Sequence, residues 1–532
     1  ISLIFIYEFI MNEINWPKLD SEHLIVYSKQ MLEIEKDIFS RGMPVESLME
    51  KVGLQISQWL LERKDLIKNG VIVFIGPGHN GGDGAVVARE LFLKGYDVTI
   101  WCPFPIKKKL TWQQLNYITS IGVKKLDNLP DPLKNDLWID SILGNNQNKG
   151  VDNPIVNLFN KKFDSGLGKI ISIDIPTGLC PNSGKVFSKS AIKSNFTLSI
   201  GLKKIGILQD KAIPYVGKII DIDIGLSKNQ FSKKNKKFLC ISNKDIKKIS
   251  LSLPPKNSSK YNRGRTLLIS GSNKYLGASH LVIKGALASG AGVVKVLVPE
   301  IIAKSIWQVE PEVVVEGYLE SSSDGSSLLY ESFRKIDFNR FDSIVIGPGI
   351  GVDVLDWEKC LFYLKEFEGI LILDADALNR IALSKEGCKF FLNKTFQTWI
   401  TPHMNEFQRL FPNLKESNNI ELALRASKEF DISILLKGAH SIIADSKGTA
   451  WQIYETDEDS ARAGLGDLLS GFVSGMAALE LASGKKISTE SFAKYVLIHS
   501  YAASQCSIGS NASKIGEELA KIVRQIKMRQ MS

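Results

Sequence analysis

The sequence predicts an α/β protein made of two successive α/β domains, and three observations carry that reading. Residues 71–101 run strand, glycine-dense loop, helix, strand, which is a βαβ unit and implies a parallel sheet. Residues 266–298 start the same order again. Between the halves, residues 227–237 (SKNQFSKKNKK) are polar, lysine-rich and without apolar periodicity, as a solvated linker would be. The expected layout is a first domain over 12–227, a basic linker over 228–240 and a second domain over 241–530.

Length and composition agree with this. The chain has 532 residues, enough at roughly 150 residues per domain for two large domains or three to four smaller ones. With 44% apolar and 23% charged residues, 42 glycines and 18 prolines, it reads as an ordinary globular protein. Disordered, collagen-like and coiled-coil classes are excluded. No run is read as approaching the roughly eighteen apolar residues of a membrane span. The six cysteines lie far apart with no C-x-x-C pair, which predicts a reduced, cytoplasmic protein. The net charge of +10 suits anionic small molecules. The lysine-rich seam lacks the arginines and aromatics of a nucleic-acid surface, so no nucleic-acid partner is expected. Residues 1–10 are apolar but lack a basic n-region and contain Glu8, so Met11 is the expected initiator.

In the first half, Val71–Ile75 reads as a buried strand, 85–94 as a helix and 97–101 as the next strand. Further strands are expected at 137–140, 170–174 and 219–224. In the second half, strands are expected at 266–270, 293–298, 343–347, 370–374 and 432–436. Helices are expected there at 279–289, 468–481 and 491–505.

The loop from Gly76 to Gly84 (GPGHNGGDG) lies between a strand and a helix. Clustered glycines let main-chain N–H groups converge on an anion at a helix N-terminus. It is neither a Walker loop nor a clean G-x-G-x-x-G. The loop resembles the GPGNNGGDG signature of YjeF-type NAD(P)H-hydrate epimerase domains, with His79 in place of the first Asn. Residues 138–144 (WIDSILG) and 172–179 (SIDIPTGL) are similar to two further segments of that family, in the family's order. The resemblance implies a Rossmann-like sheet sandwich whose glycine loop binds a hydrated nicotinamide dinucleotide. It makes Asn80, Asp140 and Thr177 potassium ligands and Asp174 the acid/base. His79, Asn80, Gly81, Gly82, Asp83 and Gly144 are the implied substrate contacts. After Gly144 the chain continues Asn145-Asn146 where the family has Thr-Gly.

In the second half, Gly464-Leu465-Gly466-Asp467 precedes an apolar stretch. Two glycines at a helix N-terminus can cradle a phosphoryl group, and the adjacent Asp can take a proton from an attacking hydroxyl. Six segments in order resemble the NAD(P)H-hydrate dehydratase branch of the ribokinase-like fold. They are SGSNKYLGA (270–278), IGPGIG (346–351), LDADALN (373–379), TPHMNE (401–406), KGAHS (437–441) and the GLGD turn itself. The resemblance implies a ribokinase-like second domain with Asp467 as base, and Ala278, Gly349, His403 and Asp467 at the hydrated dinucleotide. Lys437, Gly438, Ala439, His440, Ser441 and Gly466 would bind the nucleotide, with ADP as phosphoryl donor and magnesium. Asp457, Glu458 and Asp459 stand where the family has Asn-Pro-Gly.

The implied function is repair of NADHX and NADPHX: epimerisation of the R and S hydrates, then ADP-dependent dehydration of the S form to NAD(P)H. The alternative is a ribokinase-like small-molecule kinase fused to a non-catalytic YjeF-type binding module. Small-molecule ligands, no membrane and a homo-oligomer complete the expectations.

Overall fold

The computed structural model describes residues 16–531 apart from 152, 228–236, 253, 255–256, 393 and 456–461. The Met11 expectation, most of the expected linker and Asp457, Glu458 and Asp459 therefore lie outside the described residues. The chain divides into two compact units. One is Leu19–Lys237; the other is built on Phe238–Ser532, with residues 16–18 joining it. Those three residues were expected in the first domain. Trp16 explains their place: it is 3% exposed, its indole Nε1 donates to the Asp245 carbonyl at 3.4 Å, and Lys494 Nζ sits 5.7 Å from its ring centroid.

The first unit is built on a seven-stranded sheet of β1 (Val71–Ile75), β2 (Val98–Trp101), β3 (Lys124–Lys125), β4 (Leu137–Ser141), β5 (Ile170–Ile173), β6 (Phe196–Ile200) and β7 (Lys218–Ile222). Every pairing is parallel, in the order β3-β2-β1-β4-β5-β6-β7. The strand order reverses between β1 and β4, where α/β sheets open a ligand crevice. β1 and β4 are buried along their whole length, as parallel strands covered on both faces must be. Five helices matter: α1 (Ser28–Ser40), α2 (Val45–Leu61), α3 (His79–Leu93), α4 (Lys109–Ser120) and α5 (Asn153–Ser165). Phe74, Trp138 and Phe159 form an aromatic cluster between sheet and α5, with centroids 4.4–5.2 Å apart.

Two strands, β3 and β6, were not expected. β6 reads Phe-Thr-Leu-Ser-Ile and hides its polar groups: Thr197 is buried and its hydroxyl donates to the Val216 carbonyl at 2.7 Å. A search for apolar runs passes over such a strand.

The second unit holds an eleven-stranded sheet. Its strands are β8 (Lys237–Ile241), β9 (Arg265–Ile269), β10 (Val293–Pro299), β11 (Val314–Ser321), β12 (Ser327–Leu328), β13 (Ser343–Ile346), β14 (Ile370–Leu373), β15 (Gln397–Ile400), β16 (Ser433–Leu436), β17 (Ile442–Ala444) and β18 (Thr449–Ile453). The order is β8-β18-β17-β16-β15-β14-β13-β9-β10-β11-β12. The stretch from β16 to β11 is parallel throughout. The helices used below are α6 (Leu276–Ser289), α7 (Asp376–Leu383), α8 (Met404–Leu410), α9 (Leu465–Ala482), α10 (Thr489–Ser504) and α11 (Ala512–Met531). Several edge elements, among them β8, β11, β17, β18 and α11, were not expected from the sequence.

Helix α9 corrects the statement that no run is long and apolar enough to span a membrane. By length and composition its 18 residues pass that test, and 67% of them are buried inside the protein. It is the core helix of the second unit. A Cβ at Gly471 would fall 1.8 Å from the Val282 carbonyl oxygen of α6, so glycine lets the two helices meet backbone to backbone.

Candidate active sites

In the first unit the singled-out residues gather at the C-terminal ends of β1, β4 and β5. Helix α3 starts at His79, inside the loop expected to run to Gly84. Its glycines serve close packing as well as any anion. A Cβ at Gly84 would stand 2.1 Å from Ser141 Oγ on β4, and one at Gly81 2.2 Å from the Gly76 carbonyl oxygen. Gly82 faces Met49 and Thr111 in the same way. Asp140 is fully buried at the end of β4. Its Oδ1 accepts from Thr177 Oγ1 at 2.8 Å and Ile142 N at 3.2 Å; its Oδ2 accepts from Ser172 Oγ at 2.8 Å and Thr177 N at 2.9 Å. Burial pushes its carboxyl up despite those donors. Thr177 Oγ1 in turn accepts from Leu143 N at 3.0 Å. The Asn80 amide donates to the Ile173 carbonyl at 3.3 Å, and a Cβ at Gly144 would meet Asn80 Cγ at 3.1 Å.

Asp174 follows β5 with φ 69°, a left-handed conformation strained for a residue with a Cβ. Its side chain over-determines that position. Oδ2 accepts from Asn145 N at 2.8 Å, and Oδ1 accepts from Lys204 Nζ and from Ile200 N. Lys204 is 1% exposed and also donates to the Ile200 carbonyl at 2.7 Å. Two more carboxyls respond to this pair. Burial raises Glu35 of α1 to about 7, with the Lys204 charge opposing and the Asp174 charge assisting. Burial pushes Asp83 well up, with Asp174 and Glu35 adding to it. Burial thus shifts several carboxyls of this site upward, the kind of perturbation that acid–base chemistry uses.

In the second unit, loops that leave successive parallel strands at their C-terminal ends converge on the first turn of α9. Gly464, its N-cap, is left-handed at φ 84°. Asp467 lies in that first turn, and its carboxyl is pushed up to about 7 by burial and by the charge of Asp374, with Lys437 opposing. Lys437, just after β16, donates to Asp374 Oδ1 at 2.9 Å. Asp374 Oδ2 accepts from Ser470 Oγ at 2.5 Å. Burial alone would raise Asp374, but Lys437, Ser470 and Thr401 hold it below the usual range. Burial likewise works against the Lys437 charge, and Asp374, Glu406 and Asp467 outweigh it. A Cβ at Gly466 would lie 3.6 Å from Lys437 Nζ and 3.9 Å from Asp374 Oδ2. A lysine, an ionised aspartate and a second aspartate near neutrality therefore surround a helix N-terminus, the arrangement expected of a phosphoryl-transfer site.

Comparisons with known proteins match both units. A family profile described as NAD(P)H-hydrate dehydratase matches residues 266–522, and one described as YjeF-related protein N-terminus matches 45–206. The chain is 34% identical over 458 residues to the bifunctional NAD(P)H-hydrate repair enzyme Nnr of Synechocystis sp., covering 85% of this chain and 86% of that protein. It is 32% identical over 469 residues to the enzyme of the same name from Gloeobacter violaceus, covering 85% and 89%. The chain belongs to the bifunctional NAD(P)H-hydrate repair enzyme family. Among solved structures, the ADP/ATP-dependent NAD(P)H-hydrate dehydratase of Bacillus subtilis aligns at 21% identity with a TM-score of 0.43, over 53% of this chain and 96% of that one.

For a member of this repair family, the sequence singled out residues that the fold brings together. In the epimerase-type unit, Asn80, Asp140, Thr177 and Gly144 share one end of the sheet, and Asp174 lies beside them. His79 is largely exposed, and partial desolvation of its ring together with the charge of nearby Lys108 holds its pKa down. In the dehydratase-type unit, Asp467, Gly466 and Lys437 meet. Gly349 and Ala278 touch: a Cβ on Gly349 would be 2.8 Å from that of Ala278. His403 caps α8, its Nδ1 accepting from Asn405 N at 3.1 Å, and pairs in register with Lys437. Gly438, Ala439, His440 and Ser441 follow Lys437, with Ser441 Oγ donating to the Gly438 carbonyl at 3.0 Å. Asp174 is met by the main-chain N–H of residue 145, while the Asn145 amide donates to the Ser28 carbonyl at 3.2 Å.

Sequence reasoning missed Lys204, Glu35 and Ser470. For Lys204 a signal existed: two lysines inside the apolar run from Ile200 to Leu208 imply at least one buried partner. Glu35 and Ser470 give no sign in the sequence.

Proposed function

We propose that the two units act in turn on one hydrated dinucleotide, the first interconverting R- and S-NAD(P)HX and the second dehydrating the S form with ADP. The observation that carries the reading is the Asp467 carboxyl, near neutrality in the first turn of α9 beside the Lys437–Asp374 pair. In this reading Asp467 takes the proton of the ring hydroxyl as the hydroxyl oxygen attacks the terminal phosphorus of ADP. AMP leaves, the ring carries a phosphate ester, the ring nitrogen's lone pair expels phosphate to give an iminium, and the neighbouring ring carbon gives up a proton to the departing phosphate, which restores NAD(P)H. Main-chain N–H groups of Leu465, Gly466 and Asp467 face the phosphoryl oxygens. Residues Lys437 to Ser441 hold the nucleotide, and Ala278, Gly349 and His403 the hydrated dinucleotide.

In the first unit, Asp174 serves as acid/base while the C–O bond of the hydrated carbon breaks, the ring nitrogen's lone pair forming an iminium, and water adds back on the other face; Lys204 keeps Asp174 oriented. His79 to Asp83 and Gly144 border the substrate. Asn80, Asp140 and Thr177 fit a potassium ion. They offer only oxygen ligands, and among the described residues the buried Asp140 carboxylate meets neutral donors alone, so a cation there balances a charge that burial penalises. Potassium, when bound, would supply that charge and attract the dinucleotide's phosphates. Magnesium is assigned to the ADP phosphates, as this cation is usually carried. Cytoplasmic location and a homo-oligomer belong to the same reading. The exposed Ile301, Trp307, Val314 and Tyr318 on neighbouring elements of the second unit support the latter.

The test is product analysis with S-NADHX and ADP. NADH, AMP and phosphate in equal amounts are expected, and Asp467→Asn should lower kcat by about a thousandfold. A phosphorylated dinucleotide that accumulates without NADH would favour the kinase reading instead.

A further inference from the structure

Arg380 of α7 is fully buried, and its guanidinium is spent almost wholly on main-chain oxygens. Nε donates to the Gly351 carbonyl at 2.8 Å, while Nη2 donates to those of Ser327 at 2.7 Å and Ile350 at 3.2 Å. Nη1 faces Asp356 Oδ2 at 3.4 Å. Asp356 is itself used on backbone, accepting from Leu329 N at 2.7 Å and Tyr330 N at 3.0 Å. A buried cation costs heavily in desolvation unless every proton finds an acceptor. Apolar packing would hold α7 at lower cost, so the gain here is geometric. The planar fork sets the spacing of two loop segments in a way that lysine's single ammonium cannot reproduce.

Those segments lead to the dinucleotide side of the second site. Ile350 and Gly351 complete the turn that contains Gly349, which packs on Ala278 and on Tyr275. Ser327 Oγ donates to the Gly271 carbonyl at 2.7 Å, and Gly271 N donates to the Pro348 carbonyl at 2.8 Å. The loop before α6 and the glycine turn after β13 are thus tied to each other and, through Ser327, Ile350 and Gly351, to Arg380. By contrast, Lys437 and Asp467 make none of these bonds.

We infer that Arg380 is a positioning residue for the hydrated dinucleotide, holding the Ala278–Gly349 surface in register while leaving the phosphoryl-donor side untouched. This rests on the proposed function, in which Ala278 and Gly349 face that substrate.

The experiment compares full-length wild type, Arg380→Lys and Asp356→Asn in steady-state dehydration, varying S-NADHX and ADP separately. Loss of a charge-assisted pair at a buried site predicts that Arg380→Lys raises KM for S-NADHX by about tenfold to a hundredfold. KM for ADP should stay within about twofold. Asp356→Asn keeps the guanidinium bonds to the carbonyls and should shift KM for S-NADHX in the same direction by less. If Arg380→Lys fails to fold, Asp356→Asn decides by the same split. Equal rises in both KM values, or no rise for S-NADHX, would overturn the inference while leaving the dehydratase reading intact. Wild type that yields no NADH would overturn that reading, and this inference with it.

Discussion

Asp467 keeps its proton to about pH 7 because burial and the ionised Asp374 both oppose a second negative charge. As a base it must be ionised, so kcat/KM for dehydration should rise as pH increases through about 7, falling about tenfold per unit below it. The sign for stability is opposite. The folded protein binds this proton more tightly than an unfolded chain, whose carboxyl has the ordinary value of 3.8. Stability is therefore lost as pH climbs from about 4 through 7. Asp467→Asn cannot ionise, so at pH 8 it should melt about 2–4 °C above wild type while losing dehydratase activity. Calorimetry alongside the assay checks both. Lys204 is the converse. Lys204→Met would strand Asp174 in a buried, left-handed position without its cation, costing about 3–5 kcal/mol and abolishing epimerisation, as chemical denaturation and R-NADHX turnover would report. Asp467 and Asp174 were legible because each stands at a strand or helix end inside a recognisable segment. Lys204 left the trace of a lysine pair in an apolar run, but its pairing with Asp174 was not legible, because the two lie 30 residues apart and only the fold brings them together.

Elements were legible where the sequence is apolar and regular. β1, β4 and β5 are short apolar runs, and the fold places them within a residue or two of expectation. β6 and the antiparallel edge around β17 and β18 were not, since polar residues such as Thr197, Ser199 and Gln452 are buried in them and interrupt the apolar run. The glycine loop misled in a different way. Its glycines resemble an anion cradle, yet Gly84 and Gly81 are also demanded by the approach of α3 to β4 and to its own loop. Close approach governs the α6–α9 pair as well. Gly471→Ala would drive a Cβ into the Val282 carbonyl and separate helices that together aim Asp467. A loss of about 1–3 kcal/mol, with a slower dehydratase and an unaltered epimerase, is the expected result in unfolding and kinetic measurements.

At the scale of the whole molecule, the opening expectation of two large domains meets two compact units, one with a parallel and one with a mostly parallel sheet, each with its own set of perturbed carboxyls. The mild basic excess belongs to a chain whose two sites are both read as holding phosphorylated small molecules. The central claim is that one chain performs both repair steps. It is tested most directly by the final yield of NADH from a mixture of R- and S-NADHX supplied with excess ADP. Wild type should convert the whole mixture. Asp174→Ala should stop near the S fraction plus slow spontaneous epimerisation, and Asp467→Asn should yield almost nothing. A wild-type yield no greater than that of Asp174→Ala would contradict the account.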